Sequence, residues 1–142
     1  MGKKTKVVLD NNVLVSAFGW HGTPEEVMKL VTTGKIVNFT SMEMLAELAR
    51  VVSYPKLCFP ESLQAEIIET VFTSSSLVNV SEPLNIIKLD PTDNRVLECA
   101  VTACVDYIIS GDAHLLELGI FKKIQIVKAK DFLLKEGFVI DV

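Results

Sequence analysis

Several things are scarce in this 142-residue sequence, and each shortage excludes something. Cysteine occurs only as Cys58, Cys99 and Cys104, with no CxxC and no nearby histidine pair, which argues against a disulfide framework or a zinc site. The three are expected to be small core residues. The longest apolar stretches, such as residues 13–18, break off well before the ~20 residues that span a bilayer. Lys3, Lys4 and Lys6 lead into only Val7, Val8 and Leu9 before Asp10, too short a run for a secretory signal. A myristoylated Gly2 is excluded because position 6 is Lys, and the sequons at Asn38 and Asn79 carry no meaning without export. The expected location is the cytoplasm, with no membrane partner. No GxSxG and no Cys-His arrangement supplies a side-chain nucleophile. Positive charge is also in deficit: 14 Lys and Arg against 18 Asp and Glu give a net charge of −4. A general nucleic-acid binder is usually basic. A nucleic-acid function would therefore need its acids gathered where cations neutralise them.

What is present is ample apolar material, 49% of residues, in a chain of one domain's length, so residues 1–142 are expected to form a single domain. Residues 6–10 suit a buried strand ending in Asp10, and residues 12–18 could open a helix. Thr23, Pro24, Glu25 and Glu26 supply a cap, an N1 proline and first-turn acids for a helix running to about Thr33, where Gly34 stops it. Residues 36–40 form a second strand. After Ser41 the apolar positions Leu45, Leu48, Ala49 and Val52 repeat at helical spacing until Tyr54-Pro55. Pro60-Glu61 opens another helix with Leu63, Ile67, Ile68 and Val71 inward. Residues 74–76 read as a turn and residues 77–80 as a third strand. Asp90 is placed to cap a helix at Pro91, with Val96, Leu97, Ala100 and Val101 inward. Residues 106–110 and 124–127 are strands four and five, 114–118 a short helix and 129–135 a closing one. Alternating strands and helices predict a three-layer α/β/α sandwich around a mostly parallel sheet of about five strands. Its site is expected at the carboxyl edge of the sheet.

Four acids stand out by position. Asp10 ends the first strand, Asp112 follows the fourth, Glu47 lies two turns into a helix, and Asp93 lies in a first helical turn. If strands one and four are neighbours, Asp10 and Asp112 converge, and Glu47 and Asp93 can reach the same point. Gathered carboxylates repel and take up protons unless a cation is present. Hard oxygen donors select Mg²⁺ or Mn²⁺. Such a site can hold a scissile phosphate between ions ~3.5–4 Å apart, activate a water and stabilise the departing oxyanion.

The segments VVLDNNVLVSA, SMEMLAELARVVSYPK, DPTDNRVLECA and VDYIISGDAHLL resemble, in order and spacing, the motifs of PIN domains. They are most similar to the PIN group of toxin–antitoxin toxins (VapC-like), over residues 6–118. The resemblance implies metal ligands and catalytic roles at Asp10, Glu47, Asp93 and Asp112. It also implies that Asn12 orients the first acid or its metal water, and that Ser110 is the small hydroxyl residue before the last acid. Asn11 departs from the more usual Thr or Ser.

Each residue also has a plainer reading. Asp10 could cap a helix, Glu47 could be solvated surface, and Asp90 takes the capping role that competes with Asp93. Glu98 and Asp106 read as structural, Asp106 with a place behind the ligands as its alternative. His114 reads as surface or capping, with substrate contact as the alternative. Trp20-His21 could form an RNA-stacking tip. Lys3, Lys4, Lys6, Lys122, Lys123, Lys128 and Lys130 could flank a phosphate track or simply solvate a surface. Together these features predict a divalent-metal-dependent endoribonuclease acting on RNA, and the resemblance to the toxin group implies an antitoxin protein that restrains it. The alternatives are a non-catalytic PIN scaffold binding RNA or protein, and a phosphatase or receiver domain, which Asn12 in place of an Asp disfavours. A homodimer is expected through residues 63–72 with Met42 and Met44.

Overall fold

Val7, Val8 and Leu9 are almost wholly buried, so the first strand is covered on both faces, as a continuous apolar run in a parallel sheet requires. The computed structural model describes residues 3–81, 83, 84, 86, 87 and 91–138. Its elements are β1 (Lys6–Leu9), α1 (Asn11–Gly19), α2 (Thr23–Thr32), β2 (Val37–Thr40), α3 (Met42–Val52), α4 (Glu61–Ser74), β3 (Ser75–Leu77), α5 (Pro91–Ala103), β4 (Tyr107–Ile109), α6 (Ala113–Leu118), β5 (Ile120–Phe121), β6 (Ile124–Val127) and α7 (Ala129–Lys135). A 3₁₀ turn at Pro55–Leu57 follows α3.

The six-stranded sheet has the order β3-β2-β1-β4-β6-β5. All neighbours pair in parallel except β5 with β6. Strands one and four are thus adjacent, and the order reverses direction between them. Side chains alternate across the sheet. Val7, Leu9, Tyr107 and Ile109 pack with α1, α2, α3, α4 and α7 on one face. Val8, Ile108, Ile124 and Ile126 pack with α5 and α6 on the other. The architecture is the three-layer α/β/α sandwich, with one more strand than expected.

Asn38 lies fully buried in the middle of the sheet. Its Oδ1 accepts the Leu9 N–H at 2.9 Å and its Nδ2 donates to Ser75 Oγ at 2.9 Å, so one amide ties β1 to the start of β3. That contact belongs with a difference from expectation: α4 continues through Ser74, and β3 begins at Ser75 instead of after a serine turn. Thr73 and Ser74 hydroxyls donate back to the carbonyls of Glu69 and Thr70, which satisfies them inside the helix instead of ending it.

Other expectations shift in small ways. α2 starts at Thr23 with Gly22 as its cap residue, while Ser41 Oγ does accept the Met44 N–H at the start of α3. Met44 points inward at 2% exposure and Ala49 outward. Met44 therefore drops out of any dimer patch, although Met42 (62%) and Phe72 remain exposed. Only Cys99 is a core cysteine; Cys58 and Cys104 are exposed free thiols. The expected cap Asp90 lies outside the described residues. No helix among the described residues is long and apolar enough to cross a membrane.

Candidate metal centre

The register Leu9↔Ile109 brings Asp10 and Ser110 off the sheet side by side. Asp10 extends the ladder by one bond, its N–H donating to Ile109 O, and its own carbonyl accepts the Val13 and Leu14 N–H groups that start α1. It occupies the cap position, yet its carboxylate makes no capping bond. The carboxylate instead accepts the Ser110 hydroxyl at 2.7 Å, and Ser110 Oγ in turn accepts the Asp112 N–H at 3.0 Å. One buried serine therefore sets the positions of two acids.

Asp112 does cap a helix: Oδ1 accepts the His114 and Leu115 N–H groups at 2.8 and 3.2 Å. Asp93 is buried in the first turn of α5. His114 Nδ1 stands 3.9 Å from Asp93 Oδ2 and 3.9 Å from Asp112 Oδ1. Asp93, Asp112 and His114 each offer a ligand atom, and all three atoms lie within 4.8 Å of one another. Glu47, on α3, is half-buried and ion-paired with Arg50. Asp10, Glu47, Asp93 and Asp112 all line one cleft of about 650 Å³, together with the exposed Asn12. Trp20, 57% exposed, stands at its rim with Tyr54.

The electrostatics follow from burial. The Asp10 carboxyl is pushed above its ordinary value of 3.8, mainly by desolvation. The Ser110 hydrogen bond opposes this, the Asp112 charge adds to it, and the nearby Asn11 and Asn12 backbone amides draw the value down again. A cation in the cleft would reverse the dominant effect. The donor set of carboxylate oxygens with one imidazole fits a divalent metal ion.

Two residues matter more than sequence reading allowed. His114 joins Asp93 and Asp112 through the turn that Asp112 caps, a juxtaposition visible only once α5 and β4 are neighbours. Asn11 is buried and donates from Nδ2 to Met44 O at 2.9 Å, which fixes α1 against the helix carrying Glu47. Asp106 stands at the opposite edge, accepting the Lys6 N–H, so it does not support the acids. Glu98 is structural, bonded to Arg95 and the Leu84 N–H. A second groove shares Asn12, Ser16 and Asp112 with the cleft and continues to Lys128 and Lys130. The other lysines of the expected phosphate track stand at the far edge of the sheet.

A protein-family profile described as the PIN domain matches residues 6–114. The chain is 34% identical over 119 residues to the uncharacterized protein MJ1680 of Methanocaldococcus jannaschii, covering 81% of this chain and 76% of that protein. Its fold is similar to a chain in the crystal structure of VapBC2 from Rickettsia felis bound to a DNA fragment from their promoter. That likeness has a TM-score of 0.60 at 14% identity and covers 86% of this chain and 97% of the other.

Proposed function

Since the chain belongs to the PIN-domain family, we propose that it is a divalent-metal-dependent endoribonuclease that works as a single domain in the cytoplasm. The observation carrying this reading is the lining of one cleft by Asp10, Glu47, Asp93 and Asp112, with ligand atoms of Asp93, Asp112 and His114 already within 4.8 Å of one another. These four acids would hold Mg²⁺ or Mn²⁺. When bound, such an ion supplies a water of lowered pKa and neutralises charge on the phosphate.

The chain's own residues do the rest. Ser110 holds the Asp10 carboxylate in one orientation, so that little reorganisation is needed on binding. Asn11 fixes the distance between the elements bearing Asp10 and Glu47, and Asn12 faces the cleft as a hydrogen-bonding group for a bound water or phosphate. Arg50, held by Glu47, brings a positive charge toward the substrate backbone, and Lys128 and Lys130 extend that charge past Asp112. Trp20 and Tyr54 offer aromatic faces on which unpaired bases can stack. Single-stranded RNA fits this mixture best.

The likeness to VapBC2 supports an extension of the reading, a toxin restrained by a small antitoxin. The exposed Met42 and Phe72 would supply the apolar face of a homodimer. The alternative, a scaffold without catalysis, is disfavoured by the presence of all four acids in the cleft. Asp93→Asn should abolish RNA cleavage while circular dichroism and melting behaviour stay those of a folded protein. Wild-type cleavage by that folded variant would sink the assignment.

A further inference from the structure

The groove at the amino edge of the sheet, opposite the acids, has a volume of about 1300 Å³, against about 650 Å³ for the acidic cleft. Lys3, Lys4, Lys6, Lys122 and Lys123 line it against two carboxylates, Asp106 and Glu136. Both acids are occupied with neutral donors. Asp106 accepts the Lys6 N–H, and Glu136 accepts the Thr5 and Tyr107 hydroxyls at 2.7 and 2.8 Å. The Lys6 ammonium is used internally, donating to Ala103 O and lying 5.1 Å from the centroid of the Phe39 ring. Among the described residues Lys3, Lys4, Lys122 and Lys123 form no ion pair. In a chain of net charge −4 this concentration of cations is a local reversal of sign.

The turn that presents two of them is the more telling observation. β5 and β6 form a hairpin with Phe121 opposite Ile124, so Lys122 and Lys123 are its entire loop. Both have positive φ, 47° and 71°. Two-residue hairpins of this kind favour Asn-Gly or Asp-Gly, because left-handed backbone crowds Cβ against the following carbonyl oxygen, a cost that Gly avoids and Asn or Asp offset by local hydrogen bonding. A strained pair of lysines at this turn points to a selected role for their charge. Half-buried Phe39 lines the groove, and the Lys122 ammonium stands 5.8 Å from the centroid of the half-buried Phe121 ring, an interleaving of rings and cations that suits unpaired nucleotides.

We infer that the amino-edge groove is a second binding surface for the sugar–phosphate backbone of single-stranded nucleic acid, with Lys122 and Lys123 as its principal phosphate contacts. It rests on the nuclease reading only in taking RNA as the ligand. A polynucleotide long enough to leave the cleft would be gripped at both edges of the sheet.

The test is fluorescence anisotropy with a labelled oligouridylate in EDTA across a series of salt concentrations, using wild type, Lys122→Asn/Lys123→Gly and Lys122→Arg/Lys123→Arg. The Asn-Gly protein restores the preferred turn, so it should melt above wild type. It should nevertheless bind more weakly, with a salt slope lower by roughly 1.4, at about 0.7 per lost phosphate contact. The Arg-Arg protein should bind like wild type. An Asn-Gly protein with unchanged affinity and slope would overturn the inference, even if Asp93→Asn still abolished cleavage. Tighter binding of polyglutamate than of oligouridylate by wild type would overturn it in favour of an acidic protein partner. Wild-type cleavage by folded Asp93→Asn, beside charge-dependent binding at the turn, would leave the groove standing and remove the nuclease.

Discussion

The two edges of this sheet are built from the same strands and carry opposite charge. At the carboxyl edge, strand ends deliver acids into a cleft where burial raises the Asp10 pKa and Asp112 adds to the effect. At the amino edge, carboxylates are fewer and are absorbed by hydroxyl and amide donors, while lysines face outward. The difference teaches that net charge is a poor guide to a polar molecule. The deficit of positive charge is an average over a surface that is acidic at the carboxyl edge of the sheet and basic at the amino edge.

The largest expected effect breaks the comparison at its acidic end. Asp93→Asn should abolish RNA cleavage, a loss of at least about 10²–10³, the scale of losing one electrostatic stabiliser, measured on a labelled single strand with Mn²⁺. Ser110→Ala comes next. It removes the donor to Asp10 and the acceptor for the Asp112 N–H, so Mn²⁺ affinity by calorimetry should fall about 10–100-fold, as for other supporting residues of metal sites.

A smaller effect sharpens the electrostatic account. The folded pKa of Asp10 lies above its ordinary 3.8, so in EDTA the folded state binds the proton more tightly than the unfolded one. Its contribution to stability is full below that value and is lost as pH rises through the raised folded value. Asp10→Asn should flatten this part of the stability–pH curve and melt higher than wild type at neutral pH without metal. A steeper pH dependence in the variant would refute it. The smallest effect lies at the amino edge. Burial, with the hydrogen bond and charge of Glu136, pushes the Tyr107 phenol up to about 12, keeping it a donor. Tyr107→Phe should cost about 0.5–1.5 kcal/mol in urea denaturation and leave metal affinity unchanged.

Periodicity made most of the fold legible. α7 falls at the expected residues because its inward positions Ala129, Phe132 and Leu133 and the following left-handed Gly137 agree. The four acids were legible as members of a motif series. Their common cleft depended on strand adjacency, which no local pattern encodes. β5 was missed because a Lys-Lys loop carries no turn signal. The start of β3 was misread because serines that bond back into a helix look like serines that end one. Cys58 and Cys104 were taken for core residues on composition alone, whereas both sit at left-handed positions after helical segments. His114 follows Asp112 closely enough to suggest substrate contact, but its approach to Asp93 depends on where α5 packs.

The outermost strands of the sheet are β3, three residues long, and β5, two residues long. A sheet grows by adding a chain to a row of unpaired amide and carbonyl groups, and rows this short give an incoming strand almost nothing to template on. Fibre-like or domain-swapped association through the sheet is therefore disfavoured at high concentration. The proposed homodimer would therefore be joined through helix faces, and a substitution designed to block it belongs on α3 or α4 and not on a strand.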